Sequence, residues 1–171
     1  MADDGVDPQL LRIYLSDHVA GAAGAHARAR RMARAYQATP LGGPLADFAD
    51  ELERERTFLL ELAGRLEVSL SRWKSGAAVA AERVGRLKPN GRLASASPLS
   101  ALLELEVLRG GVNGKRGLWD SLGSWSSALG LDPDQFVELD RRAVDQVDLL
   151  KRLAAVARSR VAAGDRDVAH A

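Results

Sequence analysis

Two polar side chains interrupt apolar helical faces in this chain, and both are of types that can do chemistry. His18 falls among Leu11, Leu15, Ala22 and Ala25 at helical spacing, where an imidazole can ligate a metal, relay a proton or sit as a satisfied core residue. Glu55 falls among Leu45, Phe48, Leu52, Leu59, Leu62 and Leu66, where a carboxylate can bind a cation, hold a proton or reach an arginine on a neighbouring helix. Each stands alone on its face. The satisfied-core reading of His18 and the arginine-paired reading of Glu55 therefore come before metal or proton chemistry. His26 lies nearer the polar edge of the same helix, and His170 lies in the C-terminal tail.

Other chemistries find less support. The chain has no cysteine, which excludes disulfides, thiolate metal sites and cysteine nucleophiles and fits a reducing compartment. It contains no phosphate-binding loop after a strand, no Gly-x-Ser-x-Gly elbow, and no serine, histidine and acid that helical spacing would join. Arg28, Arg30, Arg31 and Arg34 form the one basic patch, mostly turned outward, with no aromatic platform before Tyr36. A solvated face is expected there rather than a nucleic-acid surface. The net charge of +1 gives no global field for nucleic acid or an anionic membrane. The start, Met1-Ala2-Asp3-Asp4-Gly5, is acidic and leads into no unbroken apolar run, so neither a signal peptide nor a membrane span is expected, and the location expected is cytoplasmic.

The elements that must position these residues are helices. Of 171 residues, 46% are hydrophobic, enough for one core and one domain, with an ordered part over about 8–162 and flexible tails at 1–6 and 164–171. Asp7-Pro8 reads as a cap followed by a first-turn proline, opening helix one, which runs to about Tyr36 with Leu11, Tyr14, Leu15, His18, Ala22, Ala25, Ala29 and Met32 inward. Thr39 to Pro44 is a short turn that makes helix two, Pro44 to about Leu66, an antiparallel neighbour. A weaker third helix from Ser71 to about Leu87 carries Trp73, Ala77, Ala80, Ala81 and Val84, and ends at the turn Lys88-Pro89-Asn90-Gly91. Ser97-Pro98 opens another helix, with a second piece running through Trp125 to Leu129 before Gly130 stops it. Asp132-Pro133-Asp134-Gln135 opens the last, with Phe136, Leu139, Ala143, Val147, Leu150, Leu153 or Ala154, Ala157 and Val161 inward. No segment alternates with period two. The class is all-α: two long helical hairpins joined by a crossover helix.

Register decides whether the acids can meet. If the first hairpin turns at about residue 40, positions at equal depth sum to about 80, which separates His18 from Glu55 by about 10 Å of helical rise, too far to share one metal. If the helix opening at Ser97 runs unbroken to Leu129, Glu104 and Glu106 lie near Arg158 and Val156, away from Asp140 and Asp145. That condition is open, because Gly110, Gly111, Gly114 and Gly117 cost about 1 kcal/mol each inside a helix. Gly110, Gly114 and Gly117 share a face. Close packing of that face on the small stretch Gly21 to Ala25 would offset the cost, with Asn113 the expected partner of His18; the alternatives are a helix break or an open ligand groove. Trp119 and Trp125 fall on different helical faces, so one is expected in the core and the other free for a partner.

Hairpin, crossover and hairpin, in that order, resemble the ferritin-like superfamily of four-helix bundles. The strings Leu15-Ser16-Asp17-His18-Val19-Ala20-Gly21-Ala22, Gly85 to Leu93 and Gly111-Val112-Asn113-Gly114-Lys115-Arg116-Gly117-Leu118-Trp119 look like uncharacterised actinobacterial members of it. The resemblance spans about residues 8–162 and implies an ancestral di-metal centre built from helix glutamates and Glu-x-x-His pairs. No glutamate here is followed by histidine three residues on. The expected function is thus a structural or interaction module that has lost the metal site, without catalysis or cofactor, and associating as a homodimer or with a protein partner. Its alternative is a metal-dependent oxidoreductase or iron-handling protein using iron or manganese, with atypical ligands drawn from His18, Glu51, Glu55, Glu104, Glu106 and Asp140.

Overall fold

Asp7 opens the first helix as its sequence predicts. Its carboxylate accepts hydrogen bonds from the backbone N–H groups of Gln9 at 2.7 Å and Leu10 at 3.0 Å, satisfying donors that the first helical turn leaves free. The computed structural model describes residues 5–69 and 98–163. These form α1 (Pro8–Ala35), α2 (Gly42–Arg65), α3 (Pro98–Ser124), the short α4 (Ser126–Leu129) and α5 (Asp134–Ala162), and among them there is no strand. The expected crossover helix, its Lys88-Pro89-Asn90-Gly91 turn, the capping Ser97 and the tail with His170 lie outside the described residues. No described helix is long and apolar enough to cross a membrane.

α1 and α2 form one antiparallel hairpin, α3 and α5 the other, and the two hairpins meet chiefly through α1 and α3. In the first turn Thr39 Oγ1 donates to the Tyr36 carbonyl at 2.8 Å and accepts from Leu41 N–H at 3.2 Å. This tightens the chain enough for α2 to begin at Gly42, two residues before the expected Pro44. A Cβ at Gly42 would stand 2.6 Å from both Gln37 Cα and the Tyr36 carbonyl oxygen, so only glycine fits. The predicted register appears in the side chains. Arg30 meets Asp50 at 3.1 Å and His26 meets Glu53 at 3.1 Å, pairs that both sum to about 80 along the hairpin.

α3 runs unbroken through all four glycines. Its other face buries Leu105, Leu108, Val112, Leu118, Trp119 and Leu122, and at about 1.5–3 kcal/mol for each fully buried large apolar side chain this exceeds the roughly 3–4 kcal/mol of lost propensity. The break comes at Trp125 instead (φ −94°, ψ 0°). After α4, Gly130 adopts the left-handed φ of 63°, and Leu131 N–H returns to the Ser126 carbonyl at 2.9 Å in a Schellman closure. At the start of α5, Asp132 Oδ1 accepts from Asp134 N–H at 3.0 Å, and the Gln135 amide reaches back to the Asp132 carbonyl at 2.7 Å.

The apolar faces of both hairpins join in one core. Most expected inward positions are buried, with Tyr14, His18, Ala22, Ala25 and Leu66 partly so. Val161 is the exception on α5 and is exposed. Trp119 is buried between Phe58, edge-on at 6.1 Å, and Phe136, stacked at 6.5 Å. Trp125 is half-buried with its ring 5.6 Å from Tyr14, so it is largely engaged within the fold.

Candidate functional site

Three helices deliver four polar side chains to the space between the hairpins. α2 brings Glu51 and, one turn later, Glu55; α3 brings Lys115; α5 brings Gln146. Glu55, Lys115 and Gln146 are largely or fully buried. The Lys115 ammonium is ion-paired with Glu55 and also donates to Gln146 Oε1 at 2.6 Å. Gln146 Nε2 in turn donates to Glu55 Oε1 at 2.9 Å and to Glu51 Oε2 at 3.0 Å. This amide orientation suits its neighbours, with the oxygen toward the ammonium and the nitrogen toward the carboxylates. Burial pushes the Lys115 pKa down, and the neighbouring Glu55 and Glu51 charges oppose that shift. On one side the cluster borders an open groove between α2 and α5, lined by Glu51 together with Arg54, Glu138, Arg142 and Asp145.

On the other side Lys115 and Glu55 line a cavity of ≈ 150 Å³ between the hairpins, and His18 lines it too. The shared cavity does not place His18 and Glu55 in hydrogen-bond contact. Burial lowers the His18 pKa, with Asp17 opposing, so near neutral pH the imidazole is uncharged. Its ring stands edge-on to Tyr14 at 4.6 Å. Tyr14 itself donates to Ser121 Oγ at 3.1 Å, which ties α1 to the end of the glycine-rich segment.

The glycine face is not a close crossing. A Cβ built at Gly21, Gly24, Gly110, Gly111, Gly114 or Gly117 would meet nothing within 4 Å, which overturns the expected packing of Gly110, Gly114 and Gly117 on Gly21 to Ala25. The glycines leave room instead of marking a contact. Asn113 is exposed and does not partner His18; among the described residues the His18 ring nitrogens take no hydrogen bond.

The other candidate acids are dispersed. Glu104 is buried and paired with Arg28, at 3.2 Å, and with Arg31. Arg28 is therefore turned inward, contrary to the solvated face expected of it, because a buried carboxylate on the opposing hairpin draws it there. Glu106 is exposed. Asp140 forms a two-bond fork with Arg116 at 2.7 and 3.0 Å, which holds its carboxyl below the usual range. Among the described residues no three histidines or acids gather as a metal site would need. The di-metal centre implied by the resemblance does not fit these side chains, since the most buried carboxylate already carries an ammonium.

Lys115 and Gln146 escaped the sequence reading, as did the true partner of Glu55, a lysine instead of an arginine. Gln146 carried a signal. It stands three residues after Ala143 and four before Leu150, on the inward face of α5. Lys115, amid glycines, reads locally as a solvated residue. No protein-family model, curated protein or solved structure matches the chain.

Proposed function

We propose that the chain is a ferritin-like four-helix bundle of the cytoplasm that has lost its di-metal centre and serves as a structural or interaction module, without catalysis. The observation that carries this reading is the Lys115 ammonium on Glu55 and Gln146. A buried ammonium gives the carboxylate its counter-charge. It would also repel a divalent cation placed 4 Å away by roughly 8 kcal/mol at an effective dielectric of 20. The interaction half rests on α3, where Leu99, Leu103 and Val107 lie exposed at four-residue spacing, a strip that suits a second copy or another helical protein.

Metal analysis of protein purified without chelator tests it, with the mass in solution measured alongside. The expected result is iron and manganese well below one equivalent, with association that Leu103→Glu weakens. About two equivalents of either metal, lost in Glu55→Ala, would establish the oxidoreductase or iron-handling alternative instead.

A further inference from the structure

The ≈ 150 Å³ cavity beside the cluster has a wall of Ala22, Phe48, Leu52, Leu59, Leu108 and Val112, and among the described residues His18, Glu55 and Lys115 are its only polar side chains. A cavity of this size holds one benzene-sized molecule. Lys115 and Glu55 cancel each other's charge, and His18 is neutral near pH 7, so an ion entering would lose its hydration with no countercharge to replace it. A neutral ligand loses less. The His18 ring nitrogens are unpartnered among the described residues, and a neutral imidazole offers one donor and one acceptor. A hydroxyl, which both donates and accepts, matches either tautomer. Gly111 and Gly114 border the cavity with nothing within 4 Å of where a Cβ would stand.

We propose that this cavity is a binding site for a neutral, single-ring-sized apolar molecule carrying one hydroxyl group, its body against Phe48 and Leu52 and its hydroxyl on the His18 imidazole. The site is independent of the module reading, because occupancy neither requires nor supplies a metal.

Phenol is the probe, titrated into the full-length protein at neutral pH and followed by calorimetry and by the side-chain nitrogen resonances of the histidines. Saturable binding is expected, shifting His18 and leaving His26 and His170 in place. Benzene should bind about tenfold more weakly, the worth of one hydrogen bond, and benzoate should not saturate. His18→Phe should bring phenol down to the affinity of benzene. Gly114→Leu should fill the space and abolish binding; Ala22→Leu fills it from the opposite helix should the first variant fail to fold. Absence of saturation by phenol, equal binding of benzoate, or phenol affinity unchanged in a folded cavity-filling variant would overturn the proposal.

Discussion

Lys115 on α3 and Glu55 on α2 form an ion pair between the two hairpins, with side chains only 12% and 6% exposed. Since the hairpins otherwise meet chiefly through α1 and α3, this pair and Gln146 connect α2 to the second hairpin through hydrogen-bonded side chains. Removing one member leaves the other charge buried and uncompensated. Lys115→Met should destabilise by about 3–5 kcal/mol, whereas Lys115→Met combined with Glu55→Leu should recover much of the loss. Urea denaturation of the two single variants and the double variant measures this. A double variant as unstable as the sum of the singles would show that the two residues act separately.

Glu104 and Glu106 are two residues apart, and the fold treats them oppositely. Glu104 is buried against Arg28 and Arg31, while Glu106 is exposed. Glu104→Ala should cost about 1–3 kcal/mol, because Arg28 is then left largely buried without its acceptor. Glu106→Ala should stay within about 0.5 kcal/mol of the parent. Equilibrium denaturation of the pair checks both.

What the sequence disclosed and what it hid divide along the range of the interactions. The cap at Asp7, the Asp132 bond to the first residue of α5, the stop at Gly130 and the inward faces of α1, α2 and α5 are set by residues within a turn or two of each other, and these were legible, though Pro133 and not Asp132 takes the cap position of α5. So was the first hairpin's register, because a short turn leaves little slack, and Arg30 meets Asp50 at the expected depth. The polar cluster depends on how one hairpin docks against the other, which no local pattern encodes. A lysine among glycines turns inward only because Glu55 waits on another helix. Depth alone kept His18 apart from Glu55, yet a cavity spanning the intervening turns brings both to one surface. Glycine has the same ambiguity. A glycine face permits either close approach or open space, and the choice belongs to the larger side chains around it.

His18 makes a prediction with a definite sign. Burial lowers its pKa below the ordinary histidine value of 6.5, so between the folded and unfolded values the unfolded chain binds more protons and stability rises with pH. The His18 contribution is neutral well above pH 6.5 and becomes a progressive loss as the pH falls through that value toward the lower folded one. His18→Phe removes this titration. Its stability relative to the parent should therefore improve between pH 7.5 and pH 5, measured by urea denaturation across that range. A difference independent of pH would mean that the His18 pKa is the same in the folded and unfolded chain.

Two glycines now carry opposite expectations, and together they test the open glycine face. At Gly114 an added Cβ meets nothing within 4 Å, so alanine there should gain helix propensity without a clash. Gly114→Ala should stabilise the protein by up to about 1 kcal/mol, and leucine, with similar propensity and free space, should be neutral or stabilising as well. At Gly42 the same Cβ would stand 2.6 Å from the backbone of Gln37 and Tyr36, atoms held by the Thr39 turn bonds, so the turn itself must move. Gly42→Ala should cost about 1–3 kcal/mol, the usual range for overpacking. Thermal melts of the three variants decide it: a higher melting temperature for the Gly114 variants and a lower one for Gly42→Ala are expected. A lowered melting temperature for Gly114→Ala would mean that α1 and α3 approach closely at the glycines after all, and would close the cavity to any ligand of the size proposed.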